Sequence, residues 1–344
     1  MLRRILGTLT VLLLAACTAP APARPALTWT PVTLPTAGRI TLRDAVACDD
    51  GWYVVGARLG ADADDTSPAA WFSGDARTWR AVPFAPLPGS YYGPKNVITN
   101  VACAGSRVVL VGSKGGGAHG NQRVSTWTLR GDGTFAEVSA PFDTYGGDTA
   151  VNVGHLTGGP RGFQLAGNRT TGAAAWLSVD GRTFRLYEDA PGLAGRTAAR
   201  DGTQHDGRWL LVGSAGKSPA AWTSPDGGSW TAQPVPTRAG FAELQRVAPA
   251  GDGLIAVGPH DTALAAWRGP PWTEQGIFGT GEVRSLAVTG PDVLVAATDL
   301  WHSPDTGGTW QPIPTPAPPQ AVAARNRTVL LAGADRAWIG TLRP

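Results

Sequence analysis

The residues best suited to contact another molecule lie in three glycine-rich stretches in the first half of the chain. These stretches contain three of the five tyrosines, together with amide and cationic side chains. Such mixtures make adaptable contact surfaces, and tyrosine rings can also stack on sugars. Solvated loops with incidental aromatics are the alternative interpretation. The candidate binding residues are Tyr91, Tyr92, Lys95, His119, Asn121, Arg123, Tyr145 and Asp148.

Other reactive residues do not form recognisable catalytic or metal-binding patterns. The acidic run 61–65 contains Asp62, Asp64 and Asp65 but lacks the glycine and glutamate of a calcium loop, so an ordinary acidic loop is expected. The five histidines are scattered and none forms a metal-ligand pair at helical spacing. There is no nucleophile elbow or phosphate-binding loop. We therefore expect no catalytic residue, no metal and no cofactor.

The elements that would position these loops are marked by tryptophan. Seven of the 14 tryptophans end near-copies of one short phrase and follow one another at intervals of 34 to 56 residues. Self-similarity at such a period is typical of arrays of supersecondary units. The seven are Trp71, Trp127, Trp176, Trp222, Trp267, Trp301 and Trp338.

Each repeat also contains a short apolar run, in most repeats closed by glycine, such as 108–112 (Val-Val-Leu-Val-Gly). Runs of this length predict buried strands rather than helices. Four short strands per repeat, repeated seven times, predict an all-β, seven-bladed β-propeller of four-stranded antiparallel blades. The seventh repeat lacks its fourth strand, and Thr28–Val32 resembles Thr78–Val82. We expect this N-terminal segment to close the last blade.

Turns before the last strand of several repeats share a Ser-x-Asp-x-Gly-like pattern that ends in an aromatic residue. Their aspartates are Asp75, Asp180, Asp226 and Asp305. A carboxylate and a serine hydroxyl can hydrogen-bond within such a turn, and glycine supplies the positive φ. The turns resemble the Asp-box, or bacterial neuraminidase repeat, of the sialidase-like propellers. The resemblance implies that these aspartates are structural.

The same resemblance raises a glycoside hydrolase of the sialidase-like superfamily as the alternative function. A sialidase needs an arginine triad, a Tyr–Glu nucleophile pair and an acidic acid/base residue. The motif that carries its first arginine is absent, and the nearest text is Gly38-Arg39-Ile40-Thr41. We therefore favour a non-enzymatic binding or scaffolding module for a protein or glycan partner.

The N-terminus resembles a bacterial lipoprotein signal. Arg3 and Arg4 precede an apolar stretch that is too short to span a membrane and ends in Leu14-Ala15-Ala16-Cys17. The resemblance implies cleavage before Cys17 and acylation of that residue. We predict a signal peptide over 1–17, an Ala/Pro-rich tether over 18–26 and one propeller domain over 27–344. The mature protein is then extracytoplasmic and anchored by lipid to the bacterial cell membrane.

Cys48 and Cys103 occupy equivalent positions in the first two repeats, and an oxidising compartment favours a disulfide between them. Two buried free thiols are the alternative. The net charge is only +3, without a basic run, so nucleic acid is not an expected partner. We expect a monomer.

Overall fold

A computed structural model describes residues 27–62, 64–116 and 122–343 of the chain. The strands form seven sheets arranged as blades around a central channel, which confirms the predicted seven-bladed, four-stranded architecture. The domain begins with β1 (Thr30–Val32). Blade one contains β2 (Arg39–Ala47), β3 (Trp52–Leu59), β4 (Thr66–Ser73) and β5 (Arg80–Ala81), and the link that follows it contains β6 (Phe84–Ala85). Blade two contains β7 (Val97–Ala104), β8 (Arg107–Gly115), β9 (Gln122–Leu129) and β10 (Phe135–Val138). Blade three contains β11 (Ala150–Gly159), β12 (Gly162–Arg169), β13 (Gly172–Ser178) and β14 (Arg185–Tyr187).

Blade four contains β15 (Thr197–His205), β16 (Arg208–Ala215), β17 (Ser218–Ser224) and β18 (Thr231–Gln233). Blade five contains β19 (Arg246–Ala250), β20 (Gly253–His260), β21 (Ala263–Gly269) and β22 (Thr273–Phe278). Blade six contains β23 (Ser285–Thr289), β24 (Asp292–Ala296), β25 (Leu300–Ser303) and β26 (Gln311–Ile313). Blade seven contains β27 (Ala321–Arg325), β28 (Thr328–Ala332) and β29 (Ala337–Thr341).

Two short helical elements interrupt the links that flank blade two. A 3-10 turn covers Gly93–Lys95, and helix α1 covers Phe142–Tyr145. Within the described residues, no helix has the length and apolar character needed to cross a membrane.

The ring closes as predicted, through the N-terminal strand. Strand β1 pairs antiparallel with β29, with Val32 opposite Ala337. The amide of Leu42 in blade one also donates to the carbonyl oxygen of Ala334 in blade seven at 2.7 Å. The last blade is therefore held from both sides, and its outer edge is covered by the start of the domain.

The apolar core lies between blades rather than within one layer. The described residues form seven apolar clusters, each shared by two neighbouring blades. Second strands are buried on both faces because each blade is packed between two others, which explains their continuous apolar runs. The third-strand tryptophans Trp71, Trp127 and Trp176 are fully buried in this packing.

These tryptophans also fasten the links on one face of the ring. The indole N–H of Trp71 donates to the carbonyl oxygen of Pro35 at 2.9 Å, and that of Trp127 donates to Asn96 Oδ1 at 3.2 Å. Trp176 donates in the same way to the carbonyl oxygen of Thr144. A buried indole needs an acceptor, and here each one is supplied by the link that leads from one blade to the next.

The link after blade one departs from the expected loop. Its residues Phe84 and Ala85 form β6, which pairs parallel with β10 and makes blade two five-stranded. The amide of Phe135 donates to the carbonyl oxygen of Pro83 at 2.9 Å, and the Phe84 ring packs edge-on against Trp127 at 5.1 Å. Because Phe84 packs against this tryptophan, the link runs along the edge of blade two.

Candidate functional site

In each of the four aspartate turns, the carboxylate accepts hydrogen bonds from its own turn. Asp75 Oδ1 accepts the backbone N–H groups of Arg77 and Thr78, both at 2.8 Å, and the Ser73 hydroxyl at 2.9 Å. The hydrogen bonds from Thr78 and Arg77 lower the pKa of the Asp75 carboxyl to about 2. The carboxylates of Asp180, Asp226 and Asp305 accept backbone amides of their own turns in the same way. All four carboxylates are thus used locally, which supports a structural role.

A groove of about 610 Å³ opens between the two long links that flank blade two. One wall is the link from blade one to blade two, where Leu87, Tyr91 and Tyr92 line it. The other wall is the link to blade three, which contributes Phe142 and Tyr145. The floor is the start of β9 and the end of β10.

The groove is rich in exposed aromatic surface. Tyr91 is 67% exposed and Phe142 is 60% exposed, while most large apolar side chains elsewhere are buried. Lys95 Nζ lies 3.8 Å from the centroid of the Tyr91 ring, and the guanidinium carbon of Arg123 lies 4.9 Å from that of Phe142. Exposed rings with adjacent cations form a surface suited to apolar, aromatic and acidic side chains.

Glu137 holds the first wall in place. Its carboxylate accepts the backbone N–H of Leu87 at 3.0 Å and the hydroxyls of Ser90 at 2.9 Å and Ser125 at 3.0 Å. Gly93 passes so close that a Cβ there would lie 2.1 Å from Glu137 Oε2, so a larger residue would displace the carboxylate from its hydrogen bonds. Asn96 completes this wall because it accepts from Trp127 and donates to the Tyr92 carbonyl oxygen at 3.0 Å.

The second wall depends on a buried cation from blade three. Arg169 at the end of β12 donates to the carbonyl oxygens of Asp143 at 3.3 Å, Thr144 at 3.1 Å and Gly146. Its side chain is almost fully buried, and Glu188 is its ion-pair partner at 3.8 Å. These bonds satisfy the C-terminal carbonyl groups of α1 and fix the helix that presents Phe142.

The structure brings several of the predicted binding residues together. Tyr91, Tyr92, Arg123 and Tyr145 line the groove, and Lys95 joins it through the Tyr91 ring. Tyr145 is largely buried, and this burial raises the pKa of its hydroxyl. Asp148 lies on an exposed turn beyond α1, outside the groove lining.

Three predicted residues lie outside the part of the chain that the structure describes, namely Cys17, His119 and Asn121. The sequence reasoning missed Phe142 and Glu137. Phe142 gave a weak signal as a large apolar residue in a link, whereas the role of Glu137 depends on contacts 50 residues apart, to Leu87.

The central channel carries a second set of polar residues on the inner strands. Asp44 Oδ2 accepts the N–H of Val101 in blade two at 2.9 Å, and Asp201 Oδ2 accepts that of Val247 in blade five at 2.9 Å. Asn100, Gln245 and Ser285 make corresponding bonds to the amides of Leu156, Val283 and Val322. Burial raises the pKa of the Asp44 carboxyl, against the effect of nearby His155. These side chains join successive blades around the channel.

Cys48 and Cys103 form a disulfide with their Cα atoms 5.9 Å apart. It joins the inner strands of blades one and two near one mouth of the channel. The histidines form separate pairs with carboxylates: His155 with Asp201, His260 with Glu274 and His302 with Asp292. In the described residues, no group of three His, Cys, Asp or Glu side chains is placed to hold a metal ion.

Comparison with known proteins shows the fold. No protein-family model matches the chain, and no curated protein is similar to it. Among solved structures, YCF48 from Cyanidioschyzon merolae aligns at 13% identity with a TM-score of 0.60, over 91% of this chain and 98% of that one. A structure of YCF48 bound to a D1 peptide aligns at 14% identity and TM-score 0.59, over 96% and 99%. Virginiamycin B lyase from Staphylococcus aureus aligns at 15% identity and TM-score 0.62, over 92% and 99%.

Proposed function

We propose that the protein is a lipid-anchored, extracytoplasmic binding or scaffolding module that holds a polypeptide segment of a protein partner in the groove beside blade two. The observation that carries the proposal is the pair of exposed rings, Tyr91 and Phe142, on opposite walls of a groove whose walls are fastened by buried hydrogen bonds. A pre-organised aromatic surface of this kind binds at a low cost in conformational entropy. The peptide in one YCF48 structure supports the same use of the fold in a distant neighbour.

The groove favours binding over glycoside hydrolysis. Among the described residues that line it, Glu137 is the one carboxylate, and its two oxygens accept three hydrogen bonds. Hydrolysis of a glycosidic bond in most families requires two carboxyl groups on either side of the scissile bond. Glu137 therefore positions the link rather than acting on a substrate.

The test compares partner capture by the full chain with capture by a Tyr91→Ala/Phe142→Ala variant. Membranes of cells that express each form are cross-linked, and the captured proteins are quantified by mass spectrometry. The matched control is Val179→Ala, which removes an apolar side chain that is 73% exposed in the aspartate turn of blade three. We expect the groove variant to lose specific partners that the control retains. Equal capture of the same proteins by both variants would show that the groove is not the binding site.

Anchoring is tested separately through Cys17. The lipobox resemblance leads us to expect that the full chain incorporates a clickable palmitate analogue and fractionates with membranes. A Cys17→Ala variant should lose the label and shift to the soluble fraction, whereas Thr18→Ala, which changes the next residue along the chain, should keep the label. Labelling of the Cys17 variant at the level of the natural chain would refute lipidation at this position.

A further inference from the structure

Arginine recurs on the inner strands at one mouth of the central channel. Strand β2 has a register shift between Leu42 and Asp44, and β15 has one between Ala199 and Asp201. The extra residue is Arg43 in blade one and Arg200 in blade four. Blade six places Arg284 directly before β23, and blade five starts β19 with Arg246. We call Arg43, Arg200, Arg246 and Arg284 the arginine crown.

The four crown residues line a single cavity of about 480 Å³. Arg43, Arg200 and Arg284 are exposed, and Arg246 is half-buried. Because they come from blades one, four, five and six, the guanidinium groups approach the cavity from several sides of the ring. The links that wall the groove lead into inner strands at this same face.

The crown is only partly neutralised. Arg200 Nε pairs with the buried carboxylate of Glu243 at 2.9 Å. Two carboxylates line the cavity itself, namely Glu282, which is exposed, and Asp44, which is buried and bonded to two backbone amides. Four guanidinium groups therefore face three carboxylates, one of which already pairs with Arg200, and the remaining positive charge attracts anions.

Arg246 is held without a carboxylate partner in the described residues. It donates to the carbonyl oxygens of Gln245 at 2.7 Å and Arg284 at 3.0 Å. Its Nε is buried and has no hydrogen-bond partner among the described residues. Each terminal nitrogen uses one N–H in these two bonds, so the half-buried guanidinium keeps further N–H donors for a ligand in the cavity.

We propose that the arginine crown binds an acidic peptide segment through its carboxylate groups. Guanidinium forks match carboxylate geometry and form the stronger, charge-assisted hydrogen bonds. The cavity is too large for one small anion, and Asn100, Asn152 and Gln320 in its lining can bond to a peptide backbone. The crown shares no residue with the groove, so this site can be tested separately from the proposed function of the groove.

The experiment titrates the full chain into a fluorescein-labelled hexapeptide of alternating Asp and Glu and follows fluorescence anisotropy. The Asn/Gln peptide of the same length is the uncharged comparison, and inorganic phosphate is the competing oxyanion. We expect the acidic peptide to bind at least about tenfold more tightly than the amide peptide, and to weaken as salt rises. Equal binding of the two peptides, or tighter binding of inorganic phosphate, would overturn the proposal.

The variant Arg43→Gln/Arg284→Gln should bind the acidic peptide at least about tenfold more weakly. Arg43→Lys keeps the charge but loses the planar fork, so its affinity should lie between those of the natural chain and the double variant. The matched control is Arg182→Gln, an exposed arginine in the aspartate turn of blade three. Thermal melting of each variant reports whether it folds. Unchanged affinity in a folded double variant would refute the crown, whereas Tyr91→Ala/Phe142→Ala should leave acidic-peptide binding intact.

Discussion

At the residue scale, single polar side chains join each blade to the next around the channel. Asp201 is the best example because both of its carboxylate oxygens accept buried amides, from Gly202 at 2.7 Å and from Val247 at 2.9 Å. It also contacts His155 Nδ1 at 2.8 Å, so three neighbouring blades meet at one side chain. Such a residue stabilises the fold because it accepts hydrogen bonds from buried amides, rather than because its own side chain is buried.

Asp201→Ala should therefore lower the free energy of unfolding by about 2 kcal/mol or more, since two buried N–H groups lose their acceptor. Asp201→Asn keeps one acceptor oxygen and should cost less. Urea unfolding measures both, and Asp252→Ala, which removes an exposed carboxylate from another turn, is the control. An unfolding midpoint for Asp201→Ala that matches the Asp252 control would contradict the joining role.

The aspartate turns give a pH-dependent prediction. The pKa of Asp75 is lowered from 3.8 to about 2, so its contribution to stability is present above the unfolded-state value and is lost as the pH falls toward 2. The loss in urea midpoint caused by Asp75→Asn should be larger at pH 6 than at pH 2.5. Asp252→Asn, an aspartate in another turn, is the comparison. A difference that is constant between the two pH values would rule out the carboxylate as its source.

At the scale of elements, the groove is built by two links whose conformation is imposed by the blades beneath them. Trp127 fixes one link through Asn96, and Trp176 with Arg169 fixes the other through α1. The repeat tryptophans are thus scaffold residues with a direct effect on the site. Exposed links of this length would otherwise sample many conformations.

Replacement of Arg169 by Met keeps the apolar stem and removes all the donors to α1. We expect the amides of residues 142–146 to exchange with deuterium at least about tenfold faster, because their local opening free energy falls. Partner binding should weaken with it. The control is Arg185→Met, which removes an exposed guanidinium from the same blade. Unchanged exchange in α1 would show that Arg169 does not position the wall.

The sequence predicted the blades well because each repeat contains its own strand pattern and its own buried tryptophan. It also indicated Tyr91, Tyr92, Arg123 and Tyr145, since tyrosines in glycine-rich links are typical of contact surfaces. It did not predict β6 or α1, whose formation depends on tertiary contacts with Trp127 and Arg169. The crown was missed for a related reason: four arginines far apart in the chain meet only when the ring closes.

At the scale of the whole molecule, neighbouring blades are not all joined in the same way. Blades one and two share the disulfide, and the longest link of the described ring, residues 82–96, also joins these two blades. The groove therefore occupies the covalently tied part of the ring. This arrangement would keep the proposed binding surface pre-organised.

Removal of the disulfide should destabilise the fold. The sequence separation of 55 residues corresponds to roughly 4 kcal/mol in the loop-entropy model. Cys48→Ser/Cys103→Ser should lower the free energy of unfolding on this scale, and thiol titration of the unreduced, unfolded natural chain should detect neither cysteine. Addition of reductant should destabilise the natural chain but leave the double variant unchanged. Equal sensitivity of both proteins to reductant would contradict a stabilising bond.

The parallel strand β6 has a consequence for how a partner can be recognised. It pairs with Phe135 and Ala136, so an extended peptide could add as a further strand only along Glu137 and Val138, at the end of β10. A segment in the groove must then be selected mainly by its side chains, because few of its amide groups can pair with the sheet. Methylation of most of those amides should be tolerated, while loss of an anchoring side chain should not.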